Sequence, residues 1–94
     1  MKNKNAHIAT LFKSIGHPIR VSIIRIIYEN ETLSVGEIQN YLKIPQPVIS
    51  LHLGILRKHN IISAVKKGKN NFYFIKNKSI SQVVEIIYHD TNLK

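Results

Sequence analysis

The sequence predicts a mainly α fold with one small β-hairpin, in the order ααααββα. Three observations carry the prediction. Apolar residues recur at helical spacing from Ile8 to Leu56, the period shortens to two between Ile61 and Ile75, and helical spacing returns from Ile80. The residues that punctuate these patterns, Gly16, Pro45 and Gly68, fall where one pattern gives way to the next.

In the first helix Ile8, Leu11, Phe12 and Ile15 share a stripe, and Gly16 closes it as the residue beyond the C-cap. A second helix begins at His17-Pro18, where Pro suits a first turn, and runs to Asn30. Its apolar set, Ile19, Ile23, Ile26 and Ile27, is broadened by Val21, Ile24 and Tyr28, so most of this helix is expected to be buried. Ser34-Val35-Gly36-Glu37 has the Ser-x-x-Glu form of a capping box and starts a third helix, Val35 to Leu42, with Ile38, Tyr41 and Leu42 inward. Ile44-Pro45 then forces an extended break, because the residue before Pro is pushed out of the α region. A fourth helix, Gln46 to Asn60, carries Ile49, Leu53 and Leu56 on one stripe with Leu51 and Ile55 at its margins. Two short helices a few residues apart are the signature of a helix-turn-helix.

After Asn60, Ile61–Val65 and Phe72–Ile75 read as strands, with residues 66–71 (Lys66-Lys67-Gly68-Lys69-Asn70-Asn71) as the hairpin tip, or wing. Ser79-Ile80-Ser81-Gln82 repeats the capping-box form and opens a last helix, on which Ile80, Val83, Val84, Ile87 and Tyr88 make one stripe. The whole, residues 1–94, is one domain of the winged helix-turn-helix class. A chain of 94 residues buries only about 60–65% of its unfolded surface, so a shared core would help it. The terminal helices are the natural dimer surface, through Ile8, Leu11 and Phe12 at one end and Ile80, Val83, Val84, Ile87 and Tyr88 at the other.

Fourteen Lys and Arg face five Asp and Glu, a net charge of +9 that calls for a polyanion. Nucleic acid is the first candidate, since each phosphate neutralised releases condensed counterions, and an anionic membrane surface is the second. The absence of Cys excludes disulfides, thiolate metal sites and thiol redox sensing. The basic start is followed by a segment interrupted by Lys13 and His17, unlike a secretory signal, and no run reaches the roughly 18–20 apolar residues of a membrane span. A cytoplasmic protein with no membrane partner is expected.

On the fourth helix the core stripe leaves Gln46, Pro47, Ser50, Leu51, Gly54 and Lys58 outward, toward DNA. Gln46 is suited to bond adenine N6 and N7 together, Ser50 to reach a base edge or phosphate, and Leu51 or Pro47 to touch a thymine methyl. Gly54 lets the helix lie close to a duplex. Lys43, Arg57 and Lys58 flank the helix as phosphate contacts, while Lys66, Lys67 and Lys69 suit a backbone or an adjacent minor groove.

Over nearly its whole length the chain resembles the ArsR/SmtB family of bacterial repressors. The marks are Ser14-Ile15-Gly16-His17-Pro18-Ile19-Arg20, Leu33-Ser34-Val35-Gly36-Glu37-Ile38 and, above all, Gln46-Pro47-Val48-Ile49-Ser50-Leu51-His52-Leu53 followed by Leu56-Arg57. The resemblance implies a helical homodimer with a small wing that binds a pseudo-palindromic operator in double-stranded DNA and represses transcription until a signal releases it. It adds His52 to the recognition helix, packed there or bonded to a phosphate. Two departures stand out. Pro45 replaces the Ser or Thr that usually caps the recognition helix. Ser34 and Gly36, and on the last helix Asn77, Ser79, Asp90 and Leu93, stand where relatives carry metal ligands, so neither usual metal site is expected.

The five His are scattered with no pair at i, i+4, and only His89 and Asp90 form a local cluster, short of the three or four ligands a metal needs. With no Cys nucleophile, no phosphate-cradling glycine loop and no paired carboxylates, neither an enzyme nor a cofactor is expected. The rival reading keeps the fold but turns the fourth helix toward a protein partner, as an interaction module or antirepressor, on the strength of Leu51, Gly54 and Ile55. The effector, a small molecule or a protein, is left open.

Overall fold

A computed structural model describes residues 3–90 and residue 92, so Leu93 lies outside the described residues. Five helices and three strands follow in the order α1 (Lys4–Ile15), α2 (Pro18–Asn30), β1 (Leu33–Ser34), α3 (Val35–Leu42), α4 (Gln46–Lys58), β2 (Ile62–Lys67), β3 (Asn70–Ile75) and α5 (Lys78–Tyr88).

Local chemistry sets most boundaries. Asn3 opens α1 by accepting from the amides of Asn5 at 2.8 Å and Ala6 at 3.3 Å. His17 opens α2 in the same way, its Nδ1 accepting from the Ile19 amide at 3.1 Å, with Pro18 in the first turn. The α3 capping box is complete: Ser34 Oγ accepts from the Glu37 amide at 3.2 Å, and Glu37 Oε1 accepts from the Ser34 amide at 2.8 Å. Three helices end on residues of positive φ, Glu31 after α2 at 68°, Lys43 after α3 at 58° and Asn60 just beyond α4 at 59°. Helix α4 therefore stops at Lys58, and His59 and Asn60 form the turn into the sheet.

The sheet holds one strand more than the hairpin expected. Leu33 pairs with Tyr73 and Ser34 with Phe72, adding the two-residue β1 to the outer side of β3, so the order is β1-β3-β2. The hairpin is also longer than expected, since Lys66 pairs with Asn71 and Lys67 with Asn70, leaving only Gly68 and Lys69 as the turn. Gly68, at φ 62°, takes the first central position, where a two-residue hairpin demands a left-handed backbone.

The core runs through every element. Ile23, Ile24 and Ile27 of α2, Ile38 of α3, and Ile49, Leu53 and Leu56 of α4 share one buried cluster with Ile61, just before β2, and Ile62 of β2. Two inward assignments and one helix cap change. Tyr41 turns outward, 55% exposed, because its hydroxyl donates to Asn30 Oδ1 at 3.0 Å and ties α3 to the end of α2. Tyr28 is likewise exposed, so α2 is buried on one broad face only. At α5 the cap is Asn77, whose Oδ1 accepts from the Ile80 amide at 3.1 Å; Ser79 lies inside the helix, and buried Ser81 donates to the Lys78 carbonyl at 3.0 Å.

Candidate nucleic-acid interface

The two faces of α4 separate cleanly. Ile49, Leu53 and Leu56 anchor its back in the core, while Gln46, Pro47, Ser50, Gly54, Arg57 and Lys58 are exposed, as is Leu51 at 62%. Nothing lies within 4 Å of the Cβ position at Gly54, so packing within the chain does not require glycine there.

The missing side-chain cap at Pro45 costs α4 little. A helix begins with four amides that lack helical partners. Here two of those positions are prolines without an N–H, Pro45 and Pro47, and the Val48 amide donates to the Pro45 carbonyl at 3.0 Å. The Gln46 amide is the one left, exposed at the tip of the helix beside the Gln46 side chain.

His52 does not face outward. It is 7% exposed, its ring lies 4.5 Å from that of His17, and its Nδ1 lies 3.4 Å from Arg20 Nη1. The residue joins α4 to the start of α2 and packs inside the chain rather than on its outer face. Burial first, then His17 and Arg20, depress its pKa below the ordinary imidazole value. Position 52 lies three residues after Ile49 and four before Leu56, so helical spacing places it on the buried side; the resemblance alone does not say which way it turns.

The cations form a field with no acidic counterweight. From Ile38 to Val84 the chain has no Asp or Glu, yet it carries Lys43, Arg57, Lys58, Lys66, Lys67, Lys69, Lys76 and Lys78. Lys43, Lys66, Lys67 and Lys69 are all exposed. Among the described residues every ion pair involves Glu29 or Glu85: Arg25 bonds Glu29 at 2.6 Å and Glu85 at 3.1 Å, and His89 meets Glu85 at 3.2 Å. Asp90 accepts from the Asn92 amide at 2.9 Å, and among the described residues no three His, Asp or Glu converge on a metal-sized site.

The terminal helices carry an apolar groove of about 370 Å³ lined by Phe12, Ile15, Gly16, Val21, Val83, Val84, Ile87 and Tyr88. Ile8, Phe12, Ile87 and Tyr88 stand exposed around it, and Leu11 and Val83 are half-buried. Ile80 and Val84 are buried in the core of the chain, because α5 lays their side of its stripe against α2, and Val84 also borders the groove. Ile86, 72% exposed, is the outward apolar residue that the stripe omits. Arg25 fixes α5 to α2: besides its bond to Glu85, its guanidinium carbon sits 3.2 Å from the centre of the Tyr88 ring.

The profile described as bacterial regulatory protein, arsR family, matches residues 17–64, which span α2 to the first half of β2. An HTH-type transcriptional regulator of Methanocaldococcus jannaschii is 39% identical over 79 residues, 84% of this chain and 89% of its own. The biofilm growth-associated repressor of Xylella fastidiosa is 32% identical over 88 residues, 94% of this chain and 76% of its own. HlyU from Vibrio cholerae N16961 superposes with a TM-score of 0.87 at 25% identity, covering 99% of this chain and 100% of that one. The matched stretch contains the whole helix-turn-helix, and these relatives are regulators rather than enzymes: the chain belongs to the arsR family of bacterial regulatory proteins, as a transcriptional regulator.

Proposed function

We propose that this protein is a sequence-specific repressor that binds a pseudo-palindromic operator as a homodimer. In this reading α4 enters the major groove and the lysine hairpin lies on the backbone or the adjacent minor groove. The observation that carries the proposal is the outward face of α4: an acid-free helix whose tip holds Gln46 with its open amide and whose next turn holds Ser50. Lys43, Arg57 and Lys58 flank that face, and the hairpin carries Lys66, Lys67 and Lys69. The apolar groove between α1 and α5 supports a two-fold dimer, which would set two recognition helices against two half-sites. Arg25, Glu85 and Tyr88 hold α5 in place for that contact. The protein acts in the cytoplasm on double-stranded DNA, released by an effector that is a small molecule or a protein.

The test is selection of bound sites from random duplex DNA by the purified protein. The expected result is an inverted repeat with half-sites about 10–10.5 bp apart centre to centre, or a multiple of that. A selected pool no more ordered than the input would sink sequence-specific binding. Exposed Leu51 favours a second reading, a helix face that docks a protein partner as an interaction module or antirepressor. Binding to such a partner would hold nearly constant as salt rises, whereas binding to DNA falls steeply and linearly on log–log axes.

A further inference from the structure

Between α1, the start of α2 and the far half of α4 lies an open pocket of about 480 Å³, lined by Thr10, Lys13, Ser14, Arg20, Ile55 and His59. Its hydroxyls are already committed: Thr10 donates to the Ala6 carbonyl at 3.0 Å and Ser14 to the Leu11 carbonyl at 2.6 Å. The donors left to a ligand are the Arg20 guanidinium, the Lys13 ammonium and the His59 ring. Arg20 is part-buried, with Nη1 turned to His52 and Nε buried with no hydrogen-bond partner among the described residues.

All five carboxylates of the chain are accounted for elsewhere. Glu29 and Glu85 hold Arg25, Glu37 closes the α3 capping box, Asp90 bonds Asn92, and Glu31 lines a separate pocket at the far end of α2. None pairs with Arg20, Lys13 or His59. The partner Arg20 does have brings no negative charge, since the His52 imidazole is neutral or cationic. A guanidinium half-removed from water with no counter-charge is costly, and an incoming oxyanion relieves that cost.

We propose that this pocket is a phosphate-oxyanion site in which Arg20, Lys13 and His59 close on one phosphoryl group. The shared chemistry fits a backbone phosphate of DNA, reached along the Ile55–His59 edge of α4, and equally a free phosphate. In its duplex arm the inference rests on the DNA-binding reading.

Two measurements on the full chain decide it. The first is the salt dependence of binding to a short random-sequence duplex, for wild type, Lys13→Gln and Arg20→Gln. The second is a titration of the Arg20 Nε–H and the Lys13 and His59 amide signals with inorganic phosphate at constant ionic strength, with chloride as control. If a DNA phosphate fills the pocket, the log–log slope of each variant is shallower by about 0.9, the value of one phosphate contact. If a free phosphate fills it, the slopes stay equal and the wild-type signals saturate, with affinity about tenfold weaker in Lys13→Gln, as loss of a charge-assisted bond implies. Lys13 is exposed, so its variant keeps the test informative even if Arg20→Gln disturbs the fold. Equal slopes together with signals that drift linearly, as they do with chloride, would overturn the site. A wild-type slope near zero would instead overturn the DNA-binding reading, and the phosphate titration alone would then decide the pocket.

Discussion

Three lysines sit in the hairpin, but its geometry lets them contribute unequally. Lys66 and Lys67 are neighbours on β2, so their side chains point to opposite faces of the hairpin, while Lys69 occupies the turn. Lys66 shares its face with buried Ile62, and Lys67 shares the other with Ser63 and exposed Val65. A phosphate backbone lying against one face meets one strand lysine and the turn lysine, two contacts rather than three. Replacing all three with Gln therefore removes about 1.8 from the log–log salt slope, at about 0.9 per contact, where three contacts would remove about 2.7. Between about 50 mM and 200 mM salt that difference is large: the variant's relative loss changes about twelvefold for two contacts and about fortyfold for three. Fluorescence anisotropy on a labelled duplex across that range measures it, with Lys66→Gln and Lys67→Gln run separately to show which face is used. Equal effects from both single variants, with a triple-variant change near 2.7, would refute the one-face geometry. An unchanged slope would remove the hairpin from the interface.

Gln46→Ala is expected to relax base preference at one operator position and to cost about 1–3 kcal/mol there, read by repeating the site selection with the variant; unaltered preference would remove Gln46 as a base reader. Ser34→Ala breaks the α3 capping box and is expected to cost about 1 kcal/mol in urea unfolding, with Glu37→Ala giving part of the same loss rather than adding to it. His52 makes stability depend on pH with a definite sign. Its pKa is depressed in the folded chain and returns to the ordinary 6.5 on unfolding, so the unfolded chain takes up the proton first. Stability is complete above that value and is lost as the pH falls through 6.5 toward the folded-state pKa. Denaturation midpoints for wild type and His52→Gln, compared on either side of that value, isolate the contribution; equal acid losses in the two proteins would contradict it.

The helices were legible because each carries its own period and its own stop signal. Ile49, Leu53 and Leu56 define the buried side of α4 from spacing alone, and with it the outward Gln46, Ser50 and Gly54. What escaped depends on contacts remote in sequence. β1 is two residues long and exists only because Tyr73 and Phe72 lie beside Leu33 and Ser34. Tyr41 reads as inward on its helix until Asn30 supplies a partner outside the core. Ile80 and Val84 read as interface on the α5 stripe, and only the packing of α5 on α2 assigns them to the protomer. The pocket around Arg20 draws on three elements at once, and no local spacing announces it.

These remote contacts also bear on how the reading helix is held. Its N-terminal end rests on a proline pair that leaves one open amide, with no side chain gripping it. Its middle is gripped twice, by the core through Ile49, Leu53 and Leu56 and by α2 through the His52, His17 and Arg20 cluster. The exposed tip of the helix is thus governed by backbone stiffness, while the orientation of the helix is governed by its contacts with α2. Substitutions at His17 or His52 should therefore shift the affinity for all sequences together, whereas substitutions at Gln46 should change which sequence is preferred. Separating those two effects in one selection experiment would show whether the clamp and the reader act independently. A His17→Ala variant that altered base preference while its overall affinity stayed unchanged would show that they do not.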